Sequence, residues 1–216
     1  MLKRKLTTTL CWLICWLFTT AAMAQQPAIN VVPQVGMNWM NLRQYTYSAA
    51  IKALVPAAST TDFFCIDGSA SKKIHINRWE VSGTGTLGSF PVYLNHNLGL
   101  STGTKAVAAT YGPVPVALNS TEPAATATLV AYNTTGGVAT VGGVVTNIRT
   151  GVLLIGASAT YTSPIDRLVW DFGTRDEFYN MRLDIPAGAT TEQYCLNLVA
   201  ASPTAVLEGY IEWTEE

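Results

Sequence analysis

From Tyr45 onward the chain consists of short runs rich in Val, Ile, Thr and aromatic residues, separated by clusters of Gly, Pro, Asn and Ser. That pattern predicts strands joined by turns. Candidate strands cover residues 45–54, 62–66, 72–82, 90–95, 125–132, 138–148, 168–172, 178–183, 194–199 and 205–213. The clearest is the last, where Leu207, Gly209, Ile211 and Trp213 alternate with Glu208, Tyr210 and Glu212. A period of two puts one face on a core and the other toward water, so Trp213 is expected in the core. Asp67-Gly68 is a tight-turn signal.

No stretch shows a helical period with caps, and successive strands without intervening helices imply antiparallel pairing. The expected fold class is all-β: an antiparallel, jelly-roll-like β-sandwich forming a single domain over residues 45–216. Residues 98–123, rich in Gly and Pro, form the longest expected loop and the natural place for partner contact.

The first 44 residues have a different character. Lys3, Arg4 and Lys5 precede a short apolar run through Cys11, Trp12, Cys15, Trp16 and Phe18, which closes on Ala22-Met23-Ala24. A basic stretch, an apolar core and a small-x-small ending are the parts of a secretory signal, so residues 1–24 are expected to be cleaved and the mature chain to begin at Gln25. The run is short for a membrane span of about 20 residues and is diluted by Thr7, Thr8, Thr9, Thr19 and Thr20. Residues 25–44 carry Pro27 and Pro33 with no sustained period and read as an N-terminal arm. Trp39 and Met40, apolar residues in that arm, are the candidate contacts with another subunit.

Composition narrows the partners. Charged residues make up 12% of the chain and hydrophobic ones 49%, which argues for a packed core rather than disorder. Loss of the signal removes three basic residues and no acidic ones, leaving a mildly acidic domain. Its only basic cluster is the pair Lys72 and Lys73, so nucleic acid is not an expected partner. No later apolar run is long enough to cross a bilayer as a helix. The expected location is secreted, periplasmic or cell-surface. Cys11 and Cys15 leave with the signal, so the mature domain keeps Cys65 and Cys195. An oxidising compartment permits a disulfide between them, and two buried thiols are the alternative.

The motifs that could carry chemistry have plainer readings. Gly83, Gly85 and Gly88 spell G-x-G-x-x-G, but a strand rather than a helix follows, so they read as a turn between strands. Ser158 lies in a partial nucleophile-elbow sequence that lacks its second glycine. The two histidines, His75 and His96, belong to no triad signature and read as a polar strand residue and a loop residue. Asp166, Asp171, Asp176 and Glu177 are spaced unlike an EF-hand, and the interleaved Arg167 and Arg175 are their natural partners. Trp79, Trp170, Trp213, Tyr45, Tyr47 and Tyr132 read as core aromatics. No catalytic, cofactor-binding or metal-ligating residue is assigned.

Several phrases recur together: Tyr47-Ser48-Ala49-Ala50, Val55-Pro56-Ala57-Ala58-Ser59, Thr61-Asp62-Phe63, Gly68-Ser69-Ala70, Glu80-Val81-Ser82-Gly83-Thr84, Trp170-Asp171-Phe172-Gly173 and the ending Ile211-Glu212-Trp213-Thr214-Glu215-Glu216, with Lys73 and Arg78. The combination resembles β-rich proteins encoded in tailed-phage genomes and related bacterial loci, some of which look like virion surface or decoration components. The resemblance implies a particle-associated, trimeric role and carries no catalytic residue. Phage head proteins need no export signal, so the signal favours a secreted or cell-surface use of the scaffold. The expected function is an exported, non-enzymatic structural or interaction module that forms a homo-oligomer. A carbohydrate-binding or adhesin module acting on a surface glycan is the alternative, and a hydrolase the remote one.

Overall fold

The computed structural model describes residues 45–56, 60–85, 88–108, 110–133, 140–156, 167–172, 183–199 and 205–216. The described residues from Tyr45 to Glu216 belong to one compact unit. Trp39, Met40, Ser158, Asp166, Arg175, Asp176 and Glu177 lie outside the described residues.

Among the described residues eleven strands follow in chain order: β1 (Tyr45–Leu54), β2 (Thr61–Asp67), β3 (Ile74–Thr84), β4 (Gly88–Asn97), β5 (Val116–Ala117), β6 (Thr128–Ala131), β7 (Val144–Ile155), β8 (Arg167–Asp171), β9 (Leu183–Ile185), β10 (Gln193–Leu198) and β11 (Val206–Glu215). They form two sheets, ordered β5-β1-β11-β3-β8, with β9 also on β3, and β6-β2-β10-β4-β7. Every strand pair is antiparallel. The pairings are nested: β4 with β7, β3 with β8, β2 with β10 and β1 with β11. A long double ribbon wound over itself in this way is a jelly roll, with successive limbs alternating between the sheets.

The core lies between the sheets. One sheet contributes Tyr47, Ile51, Ile76, Trp79, Ile211 and Trp213, and the other Phe64, Ile66, Leu94, Leu153 and Leu196. Trp213 stacks on Tyr47, and Phe64 meets Trp79 edge-on, each at 5.6 Å between ring centres. The expected alternation on β11 holds, with Leu207, Gly209, Ile211 and Trp213 all buried. On β3 the buried set changes phase, from Ile74 and Ile76 to Trp79 and Val81. A register shift against β11 leaves Asn77 unpaired there and returns both halves to the same face.

Three sequence expectations change. Asp67-Gly68 is not a two-residue hairpin, because β2 and β3 belong to different sheets. Gly68 is required for a different reason: a Cβ there would sit 2.1 Å from the Ala189 carbonyl oxygen. His96 is a strand residue on β4, not a loop residue, and pairs with Tyr194. Finally, β7 continues to Ile155, beyond the expected end at residue 148. The expected strand at 178–183 falls almost wholly outside the described residues.

Candidate functional site

The central strand β10 carries Gln193, Cys195 and Asn197 at alternate positions, and β4 sets Asn97, Asn95 and Tyr93 beside them. On the other side β2 sets Asp67 and Cys65 opposite Gln193 and Cys195, and a register shift at Phe63 then brings Asp62 opposite Asn197. These residues form the centre of the second sheet's outer face, and that centre is shielded from solvent, whereas Val152 and Leu154 on β7 of the same sheet are more than half exposed. Asp62, Cys65, Asn97, Gln193 and Cys195 are all fully buried. The excursion between β4 and β7 folds back over them. Its two limbs pair at Thr102 with Thr140 and at Lys105 with Tyr132, and Leu98 N donates to Gly143 O at 3.0 Å.

Cys65 and Cys195 face each other in register, 4.1 Å apart at Cα, and form a disulfide. Val130 and Tyr132 pack on it as a small second core. The bridge resolves the alternative left open by the sequence. Asp62 lies beside the two sulfurs, but these are bonded to each other and offer no thiolate to a metal.

The network around Asp62 is dense. Its Oδ1 accepts from Asn197 Nδ2 at 3.0 Å. Its Oδ2 accepts from Asn97 Nδ2 at 3.1 Å and Gly142 N at 3.3 Å and lies 2.5 Å from Ser101 Oγ. Gln193 Oε1 accepts from Ser101 N at 2.6 Å and lies 2.7 Å from Ser101 Oγ, while Gln193 Nε2 donates to Asp67 Oδ1 at 2.8 Å. Tyr132 donates its hydroxyl proton to the Ser101 carbonyl. Burial pushes the Asp67 carboxyl above its ordinary value, although Gln193 and Lys105 pull the other way. Burial, with Asp67 and Asp62 nearby, pushes the Tyr132 hydroxyl up to about 12.

The two histidines are placed apart from this network. His75 is buried on β3, its Nδ1 hydrogen-bonded to Asp184 Oδ1, while its Nε2 lies 3.0 Å from Glu216 Oε2 without hydrogen-bond geometry. Lys73 Nζ lies 2.8 Å from the other Asp184 oxygen. Burial raises the Asp184 carboxyl, but Lys73 and His75 together outweigh it and hold the group below the ordinary aspartate value. His96 stacks on Tyr194 at 4.8 Å and reaches Glu192 Oε2 at 3.2 Å. Among the described residues neither ring is hydrogen-bonded to a serine, threonine or cysteine. Arg167 pairs with Glu80 at 2.9 Å, because β8 lies beside β3. Gly83 and Gly88 sit on successive strands, β3 and β4, with no helix after them, as expected of a turn.

The outer face of the first sheet is open. A groove of about 370 Å³ runs along β1 and β11 and is lined by Ser48, Lys52, Tyr111, Val114, Val116 and Tyr210. A second hollow of about 360 Å³ adjoins it and adds Glu80, Ser82 and Glu208. Val107, Val114, Val116 and Leu118, all more than half exposed, cluster in the segment that edges this sheet through β5.

No family model, curated protein or solved structure matches the chain. Sequence reading did not single out Asp62, Asn97, Ser101, Gln193 or Asn197. A signal for them was present, since Asn95-x-Asn97 and Gln193-x-Cys195-x-Asn197 alternate amides and cysteine, where a wet face would carry charges.

Proposed function

We propose that the chain is an exported, non-enzymatic structural or interaction module that self-associates on a surface or particle. The observation that supports this best is the pair of exposed valines, Val114 and Val116, lining the groove on the first sheet, with Val107 and Leu118 also exposed in the same segment of chain. Exposed apolar side chains in one segment are unfavourable in water and are relieved by covering. Jelly rolls occur in capsid and lectin domains alike, so the architecture is compatible with particle assembly without selecting it. A trimer is the first expectation, from the resemblance to phage-encoded particle proteins.

Light scattering on the purified protein tests this reading. An oligomer whose mass falls to that of the monomer in Val116→Glu supports it. A wild type that remains monomeric at high micromolar concentration overturns it. A second reading, glycan binding, is favoured by Tyr111 and Tyr210 lining the same groove with Lys52 and Ser48, since aromatic rings beside polar groups suit a sugar. A glycan array showing selective binding that Tyr210→Ala abolishes would favour it over self-association.

A further inference from the structure

Ser101 has one hydroxyl proton and two acceptors competing for it. Its Oγ lies 2.5 Å from Asp62 Oδ2 and 2.7 Å from Gln193 Oε1, and it also accepts from Gly142 N at 3.1 Å. One proton cannot occupy both short contacts. Turning the Gln193 carboxamide over does not relieve the conflict. It would aim the NH₂ group at the Ser101 N–H, which now donates to Gln193 Oε1, and the carbonyl oxygen at the Asp67 carboxyl, which now accepts from Gln193 Nε2. With the proton on the Asp62 side, an Oγ lone pair is left 2.7 Å from the Gln193 carboxamide oxygen, and a rotation of the Ser101 side chain is needed to carry it from that oxygen to the face of Cδ.

That carboxamide is arranged as an acyl donor. Its oxygen faces the Ser101 N–H at 2.6 Å and Asn97 Nδ2 at 3.5 Å, so negative charge developing on Oε1 would meet fixed donors. Its nitrogen is bonded to Asp67 Oδ1 at 2.8 Å, a carboxyl that burial inclines toward its protonated form. Ser101, Gln193, Asp62 and Asn97 are all buried, which keeps water from competing with the hydroxyl. A hydroxyl with a base, an acyl carbon with an oxyanion site, and an acid beside the leaving group are the parts that acyl transfer needs.

We propose that Ser101 and Gln193 condense to an intramolecular ester. The Ser101 Oγ–Gln193 Cδ bond forms, the Gln193 Cδ–Nε2 bond breaks, and ammonia leaves. Asp62 takes the hydroxyl proton and Asp67 gives one to the departing nitrogen. Proton exchange between the two carboxyls and solvent restores both, so neither water nor an oxidant is consumed. The reaction occurs once per chain and modifies the protein itself. The link spans 92 positions and fastens the start of the covering excursion to β10, two residues from the disulfide.

The test is peptide mapping of the full chain recovered from an exporting cell. Intact mass alone is ambiguous, because cyclisation of an N-terminal Gln25 would also remove one ammonia. The reduced and digested protein is expected to yield one peptide joining the Ser101 and Gln193 segments, lighter by one ammonia and split by hydroxylamine. In Asp62→Asn the joined peptide is expected to be lost while the Cys65–Cys195 bridge still forms. If that variant does not fold, the wild-type map decides. Separate, unmodified Ser101 and Gln193 peptides from folded wild type with an intact disulfide would overturn the proposal, as would a link to any other residue.

Discussion

Glu215 is buried near the end of β11, and its carboxylate gathers four donors: Thr126 N at 2.9 Å, Ala127 N at 2.9 Å, Thr126 Oγ1 at 2.6 Å and Trp213 Nε1 at 3.1 Å. It pins the returning limb of the long excursion to the first sheet, helped by the Tyr47 hydroxyl, which donates to Pro123 O at 3.1 Å. Glu215→Ala would leave the buried Ala127 N–H and the buried Trp213 indole N–H without their acceptor, whereas the exposed Thr126 can turn to water. At about 1–3 kcal/mol for each of these two stranded donors, and with partial relaxation, the expected loss is about 2–4 kcal/mol. Glu215→Gln keeps one acceptor oxygen but turns an NH₂ toward groups that are themselves donors, for an expected loss of about 1.5–3 kcal/mol. Urea denaturation followed by fluorescence would measure both, and amide exchange at Thr126 and Ala127 would report the local loosening. A Glu215→Ala variant within about 1 kcal/mol of wild type, or one more stable than Glu215→Gln, would refute the reasoning.

The Cys65–Cys195 bridge closes a loop with a sequence separation of 130, so Cys65→Ala with Cys195→Ala should cost up to about 4–5 kcal/mol in the chain-entropy model, checked by denaturant midpoints. Ala53 is held at φ 48°, where only glycine is unstrained, so Ala53→Gly should be neutral or stabilise by up to about 1 kcal/mol, whereas a loss of that size would contradict the strain. The lowered Asp184 carboxyl contributes stability that is present above the unfolded value of 3.8 and is lost as pH falls through the lower folded value. Asp184→Asn should therefore flatten the acid limb of a stability-against-pH curve, and an unchanged limb would remove Asp184 as its cause.

Much of the fold was legible because the core pattern is strong. Tyr45–Leu54 was read with its observed bounds, and β11 and β10 within two residues at each end, since the β11 alternation and the aromatic and aliphatic content of the other two marked them. The expected strand at 138–148 stopped short of the end of β7, which runs on through Gly151, where the Leu168 side chain of β8 packs close to the backbone. Residues 125–127 read as strand, but Glu215 takes the N–H groups of Thr126 and Ala127, and β6 begins only at Thr128. The network at Asp62 was not legible for a different reason. Its members come from β2, β4, β10 and the long excursion, and only nested pairing between segments distant in sequence brings them together.

The two outer faces of the sandwich are treated in opposite ways, and that asymmetry bears on where a partner would bind. The second sheet's central strands are lined with Asn, Gln and Cys rather than Lys and Glu, and the chain's own excursion closes over them. Amides suit that position because they supply fixed donors to the two acidic side chains on the same face, Asn97 and Asn197 to Asp62 and Gln193 to Asp67. On the first sheet the β3–β8 side is guarded by charge, with Glu80 held between Arg78 and Arg167. Toward β1 and β5 the charges thin out to Lys52, and Val114, Val116 and Leu118 face solvent. Edges guarded by charge resist association, and apolar ones invite it. Self-association, as proposed above, therefore belongs to the β1–β5 side of the first sheet. A charge placed at Val116 should weaken it, whereas one at Val152 on β7, exposed to a similar degree but on the second sheet, should leave it intact.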